Sequence, residues 1–142
     1  MSKFTLLVGL VILSFANVAY AKGLTLFECE FKDGGSVVSV RDSNTVTVTL
    51  IDKDGVKDVV ENPLNEAGVS TMIATDNTSV DSLDVLQGDA QYSLMYYHGK
   101  LLNDAKVLVF KNNEPDATYD CKMDTVKNNL TDPASIAGIF QP

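Results

Sequence analysis

Hydrophobic and polar positions alternate in short runs along most of this chain, and turn residues separate the runs. In the clearest run, residues 45–50, Val46, Val48 and Leu50 share one face and threonines share the other. This period of two is typical of a strand with one buried face. Similar runs cover 24–32, 36–41, 56–60, 69–74, 80–86, 90–97, 106–111 and 117–123. The pattern predicts an all-β fold, an antiparallel β-sandwich or small β-barrel of about eight strands.

The segments between the runs predict how the strands connect. Residues 52–55, Asp-Lys-Asp-Gly, predict a tight hairpin, and residues 112–115, Asn-Asn-Glu-Pro, predict a turn. A short helix within 64–86 is left open. Asp132 followed by Pro133 predicts the start of a short C-terminal helix, which Gly138 ends.

In the run 106–111, the valines face one way while Leu108 and Phe110 face the other. Apolar residues on both faces indicate a central strand that is covered on both sides.

The first residues have the layout of a secretory signal peptide. Lys3 precedes an apolar stretch from Leu6 to Phe15, and Ala19-Tyr20-Ala21 offers small residues for cleavage. The stretch is about ten residues long, too short to span a bilayer as a helix. We expect cleavage after Ala21, which leaves 22–142 as a single β-rich domain in the periplasm or a secreted medium, without membrane insertion.

Two cysteines, Cys29 and Cys121, lie near the two ends of the predicted mature chain. An even number in an exported protein indicates a disulfide bond. A metal pair or a reactive thiol is the alternative, but the chain has one histidine and no Cys-x-x-Cys. We therefore expect a Cys29–Cys121 disulfide and no metal site.

Removing Lys3 with the signal peptide leaves 10 basic and 19 acidic side chains, a net charge of −9. Such a surface disfavours nucleic acid and anionic membranes, which require Lys and Arg for binding. It favours a basic partner, although solubility alone would also explain it. A homodimer is left open.

Candidate catalytic groups are few. His98 is the one histidine, no Gly-x-Ser-x-Gly elbow occurs, and the cysteines are assigned to the disulfide. Paired carboxylates and a cation site at Asp76, Asp81 and Asp84 are left open. The loop that begins at Asp52 lacks the glutamate that an EF-hand requires at its twelfth position. The sequence predicts no enzyme and no cofactor.

The segment 87–100 has the most unusual composition, because three of the chain's five tyrosines fall within it. Tyrosine is enriched at recognition sites. Tyr92 and Tyr96 alternate as core residues would, whereas Tyr97 points to the opposite face.

Four features together resemble the periplasmic lysozyme inhibitors, which fold as small β-barrels. They are the early cysteine in 27–30, the glycine and tyrosine of 88–92, the Tyr-x-Gly-Lys of 97–100, and the late cysteine. In the inhibitors a serine precedes that glycine, and two residues separate the glycine from the tyrosine. In this chain Gln87 precedes the glycine, and three residues separate it from the tyrosine. The features are equally similar to exported immunity proteins against peptidoglycan-cleaving toxins.

The resemblance implies a protein that inhibits a basic peptidoglycan hydrolase or secreted toxin by inserting a loop into its active cleft. Gly88 and Asp89 would form one contact loop, and Tyr97, His98 and Lys100 another. A small-ligand carrier or adhesion module is the alternative, and a cavity lined by residues 92, 95 and 110 would favour it. An enzyme would require His98 to meet two carboxylates in a pocket.

Overall fold

The computed structural model describes residues 23–74, 76–100 and 102–142. The predicted signal peptide, residues 1–21, lies outside the described residues. The described chain is nearly all β. Its strands are β1 (Leu24–Glu30), β2 (Ser36–Arg41), β3 (Thr45–Ile51), β4 (Lys57–Pro63), β5 (Gly68–Ile73), β6 (Ser79–Gln87), β7 (Ala90–His98), β8 (Asn103–Lys111), β9 (Glu114–Asp120) and β10 (Lys127–Asn128).

These strands form two antiparallel sheets of five. The first sheet has the order β10-β1-β2-β3-β4, and the second has the order β5-β6-β7-β8-β9. Apart from β10, every strand pairs with its neighbour in the chain, so each sheet is built from successive hairpins. The predicted antiparallel sandwich is confirmed, with ten strands rather than about eight.

The core lies between the two sheets. Leu26 and Phe27 from β1 belong to the same buried cluster as Leu83 and Leu94 from the second sheet, and all four are fully buried. Two consecutive residues of β1 are buried because the β1–β2 register shifts beside them. Burying each such side chain contributes about 1.5–3 kcal/mol to folding.

The disulfide is confirmed. Cys29 on β1 and Cys121, which directly follows β9, are bonded with their Cα atoms 5.7 Å apart. Beside the bond, Phe31 and Cys121 form an isolated antiparallel bridge. The disulfide therefore fixes the end of a strand from the first sheet to the end of a strand from the second.

A buried asparagine joins the two sheets at another place. Asn62, 5% exposed, lies at the end of β4. Its Nδ2 donates to the Leu86 carbonyl at 2.7 Å, and its Oδ1 accepts from the Leu86 N–H at 2.8 Å. The pairing of β5 with β6 starts only at Gly68 and Asp84, so Leu86 lies beyond it. The Asn62 amide thus takes the place of a neighbouring strand.

Near the C-terminus the predicted strand boundaries are wrong. The β8–β9 turn contains only Asn112 and Asn113, both with positive φ, and β9 starts at Glu114. Pro115 lies within β9, which is acceptable because an edge strand need not donate every N–H. The predicted strand 117–123 ends instead at residue 120, and a 3₁₀ turn (Met123–Thr125) leads into β10.

The prediction for β8 is half right. The strand lies inside its sheet, between β7 and β9. However, Val107 and Val109 are buried, whereas Leu108 and Phe110 are half-buried on the outer face of the second sheet. Both side chains therefore remain partly accessible to solvent. The helix left open within 64–86 is also not found there, where β5 and β6 form a hairpin.

The predicted C-terminal helix is confirmed as a single turn, α1 (Pro133–Ile136), with Asp132 as its N-cap residue. Ser135 Oγ donates to Asp132 Oδ2 at 2.6 Å and holds this turn together. In the described ranges, no helix is long and apolar enough to cross a membrane.

Candidate functional site

A concave site with an aromatic floor and an acidic rim opens where three segments meet. The segments are the β1–β2 turn, the β3–β4 turn and the end of β9, and the volume is about 260 Å³. The rings of Phe31 and Tyr119 stack on the floor with centroids 4.8 Å apart. The charged residues around the rim are Asp33, Asp52, Asp54, Asp120 and Lys53. We call this site the acidic cleft.

The local sequence explains how the two turns come together. At Gly35 a Cβ atom would lie 2.1 Å from the Ile51 carbonyl oxygen, so only glycine allows the β1–β2 turn to pack against the end of β3. In the second turn, Asp52 Oδ1 accepts the N–H groups of Asp54 and Val56, both at 2.9 Å. The rim is therefore held by short, internally bonded turns.

The acidic residues around the floor affect the pKa of its tyrosine. Burial raises the pKa of the Tyr119 hydroxyl above its usual range, and the carboxylates of Asp52 and Asp58 raise it further. Negative charge near an aromatic face favours a bound cation, since the ring face and the carboxylates attract it together. The cleft is suited to a guanidinium or ammonium group.

The first predicted contact loop, Gly88 and Asp89, is a two-residue turn between β6 and β7. Gly88 has a φ of 61°, which favours glycine in such a turn. Asp89 is exposed, and its carbonyl accepts the Asn112 N–H of the neighbouring hairpin at 3.0 Å. The turn borders a shallow pocket of about 290 Å³, but its length gives it little reach as an inserting loop.

The second predicted group lies at the other end of β7. Tyr97 and His98 are its last two residues, and Lys100 is exposed in the connection that follows. Tyr97 faces the outer side of the sheet, as predicted, with Lys106 Nζ 5.4 Å from its ring centre. Because β7 has nine residues, the two predicted groups are separated by roughly 27 Å. They do not form one site, and neither lines the acidic cleft.

His98 contacts a buried carboxylate that the sequence did not single out as its partner. Its Nε2 lies 3.2 Å from Oδ2 of Asp81, which is 2% exposed, but the contact is not aligned as a hydrogen bond. Asp81 accepts from Thr71 Oγ1 at 3.0 Å and from Asn128 Nδ2 at 3.1 Å. The period of two could have revealed this residue, since it shares a face with Leu83.

The positions of His98 and Asp81 also test two alternatives from the sequence, an enzyme centred on His98 and a cation site at Asp76, Asp81 and Asp84. Within the described chain, His98 has one carboxylate at ion-pair distance rather than the two that an enzyme would require. Asp81 and Asp84 lie on opposite faces of β6 because they differ by an odd number of residues. No cluster of three metal-ligating side chains occurs in residues 23–74, 76–100 and 102–142.

Residues 92, 95 and 110, which were expected to line the cavity of a ligand carrier, do not face a common space. Tyr92 is buried in the core and pairs with Val85 across the sheet. Met95 and Phe110 have the opposite orientation and lie half-buried on the outer face. The three side chains therefore point to two sides of the second sheet.

Similarity to known proteins does not indicate which of these features binds a partner. Comparison of the chain with protein-family models, with curated proteins and with solved structures found no match. The choice among the acidic cleft, the β6–β7 turn and the end of β7 therefore depends on their own geometry and charge.

Proposed function

We propose that this chain is a non-catalytic binding protein for a basic enzyme of the peptidoglycan hydrolase class, as a lysozyme inhibitor or an immunity protein. The acidic cleft is the observation that carries the proposal. It combines a stacked aromatic floor with four carboxylates on two rigid turns and one strand end. An exposed lysine or arginine of a basic enzyme has the chemistry to fill it.

The overall charge supports the same type of partner. The chain carries a formal net charge of −8, which attracts a basic protein over long distances and accelerates their encounter. The cleft then supplies a local contact that a diffuse charge cannot, because a guanidinium can stack on Tyr119 while it pairs with the rim. The resemblance to lysozyme inhibitors provides the enzyme class.

The mechanism differs from insertion of the predicted loops. Asp89 and His98 lie at opposite ends of β7, so one enzyme cleft cannot receive both as a single plug. In the proposed complex, the partner's basic side chain enters the acidic cleft. The short turns at 33–34 and 52–55 then rest against the enzyme surface, and access of the glycan substrate is blocked by the body of the sandwich.

Charge-matched variants test this contact. Binding to a panel of basic lysozyme-type hydrolases is measured for D33N/D120N, which changes two rim aspartates, and for D89N/E114Q, which removes two exposed carboxylates that do not line the cleft. Both variants change the net charge equally. We expect the cleft variant to weaken binding at least about tenfold more than its control, and both to associate more slowly than the wild type.

Each outcome has a distinct meaning. Equal losses in the two variants would show that only the net charge matters and that the cleft is not the contact. A larger loss in D89N/E114Q would move the contact to the region of the β6–β7 turn. If the wild-type protein neither binds nor inhibits any enzyme of the panel at low salt, the proposed function is wrong.

A further inference from the structure

The two sheets have four edge strands, and three of them carry residues that prevent pairing with another chain. Charged residues and prolines on an edge oppose such pairing. They are Lys57, Asp58, Glu61 and Pro63 on β4, Glu114, Pro115, Asp116 and Asp120 on β9, and Lys127 on β10. The fourth edge, β5, has the sequence Gly-Val-Ser-Thr-Met-Ile and contains neither.

The unprotected edge is also the one with the most exposed apolar side chains. Met72 is 64% exposed and Ile73 is 74% exposed, the two highest values among the large apolar residues of the described chain. Both lie at the end of β5, before the turn into β6. An exposed apolar edge without charge is a site for association by strand pairing.

Two observations show which backbone groups of β5 point outward. In the β5–β6 hairpin, Ala74 N–H bonds to the Thr78 carbonyl, so residues 72, 70 and 68 also face β6. On the opposite side, the Val69 N–H donates to the Phe140 carbonyl at 2.9 Å. Both place the N–H and C=O groups of Thr71 and Ile73 on the free edge. In the described part of the chain, no backbone group bonds to them there.

This edge already accepts an added segment within the molecule. Gly68 and Phe140 form a parallel bridge, so the C-terminal segment covers the beginning of β5. The cover stops there, and the half of the strand that contains Thr71, Met72 and Ile73 remains open.

We propose that the open half of β5 pairs with β5 of a second copy of this chain, antiparallel about a two-fold axis at Met72. In this register Thr71 faces Ile73 of the second copy, and Ile73 faces its Thr71. Four backbone hydrogen bonds form, and every outward group of the open half has a partner. The two Met72 side chains meet across the axis, and no charged residue of either strand is opposed.

A second copy fits this edge because the pairing is complementary to itself in sequence and in hydrogen bonding. The net charge of −9 expected for each mature copy opposes association at long range. Salt screens this repulsion but leaves backbone pairing intact. Dimerisation should therefore strengthen as salt rises, whereas binding to a basic enzyme should weaken, so the two proposals fail separately.

The test is sedimentation and light scattering of the mature protein over a concentration series, at low and high salt. I73P removes an outward N–H without removing a bond to β6, and M72K places charges of like sign across the axis. V59P and V59K are matched controls on the edge strand β4, where Val59 is 45% exposed. Its N–H also points outward, because residue 56 is bonded to Asp52 and the alternation places residue 59 on the free side.

We expect a wild-type dimer that dissociates on dilution, a dissociation constant at least about tenfold higher for I73P and M72K, and unchanged dimers for both controls. Amide hydrogen exchange at Thr71 and Ile73 should slow as the concentration rises. A protein that is monomeric at every concentration and salt level would overturn the proposal. A dimer that the β5 variants leave intact, or that only the β4 variants weaken, would overturn it as well.

Discussion

Replacing Asn62 by alanine should lower the free energy of unfolding more than is usual for a residue at the end of an edge strand. The buried amide makes two hydrogen bonds with the backbone of Leu86, at 2.7 and 2.8 Å. Alanine removes both and leaves a backbone donor and acceptor on β6 without their partner. The variant therefore tests whether a side chain can stand in for a strand between the two sheets.

The size of the effect follows from the bonds that are lost. Each neutral hydrogen bond contributes about 0.5–1.5 kcal/mol net. Because Leu86 is 54% exposed and both hydrogen bonds are only partly buried, the freed backbone groups can be partly hydrated, and we expect a loss of about 1–2 kcal/mol. For a chain of this size, this corresponds to a melting temperature lower by roughly 4–8 °C.

Urea unfolding followed by circular dichroism, under non-reducing conditions, measures the free energy of unfolding. Asn65→Ala is the control, since Asn65 is exposed in the β4–β5 turn and should change stability by less than about 0.5 kcal/mol. Asn62→Asp should cost more than Asn62→Ala at neutral pH, because a carboxylate oxygen would face the Leu86 carbonyl. If Asn62→Ala is as stable as the control, the amide does not join the sheets.

Three further changes test other parts of the structure. Replacing Cys29 and Cys121 by alanine should lower the free energy of unfolding by about 2–5 kcal/mol, measured by urea titration. The pKa of Asp42 is lowered, chiefly by the backbone N–H of Asn44, so its contribution to stability is lost as the pH falls through that lowered pKa. In Asp42→Asn, the melting temperature should therefore fall less steeply as the pH decreases through the acid range. An unchanged profile of melting temperature against pH would refute this. Tyr119→Phe should remove a late step from the ultraviolet titration of the tyrosines, because the pKa of this hydroxyl is raised; loss of an early step would contradict the assignment.

Much of the fold could be predicted because the alternation of apolar and polar residues within each strand determines which face is buried. The alternation in β3 is strict, and its faces are assigned correctly by period alone. Polarity was less informative where both faces carry apolar residues, as in β8. There the sequence cannot show whether another layer covers Leu108 and Phe110. β10 was missed because two residues, one of them charged, carry no pattern.

The acidic cleft could not be predicted because its parts are distant in the chain. Asp33 only follows the predicted strand 24–32, Asp52 begins a predicted hairpin turn, and Asp120 lies inside the predicted strand 117–123. The approach of these three segments depends on how the two sheets meet. The disulfide prediction gave part of this information, since bonding of Cys121 brings the end of β9 to the end of β1. The segment 87–100 drew attention by composition, but a strand separates its two ends.

The disulfide also decides how the protein responds to mechanical force. Cys29 lies near the start of the described chain, and 92 positions separate it from Cys121. A pull on the two flanking segments is transmitted through the covalent bond and does not reach β2 to β9, which lie inside the closed loop. Only the segments outside the loop can extend while the bond is intact. Reduction would open this loop, so that the segment between the two cysteines could also be drawn out, as a protease or translocase that threads its substrate requires.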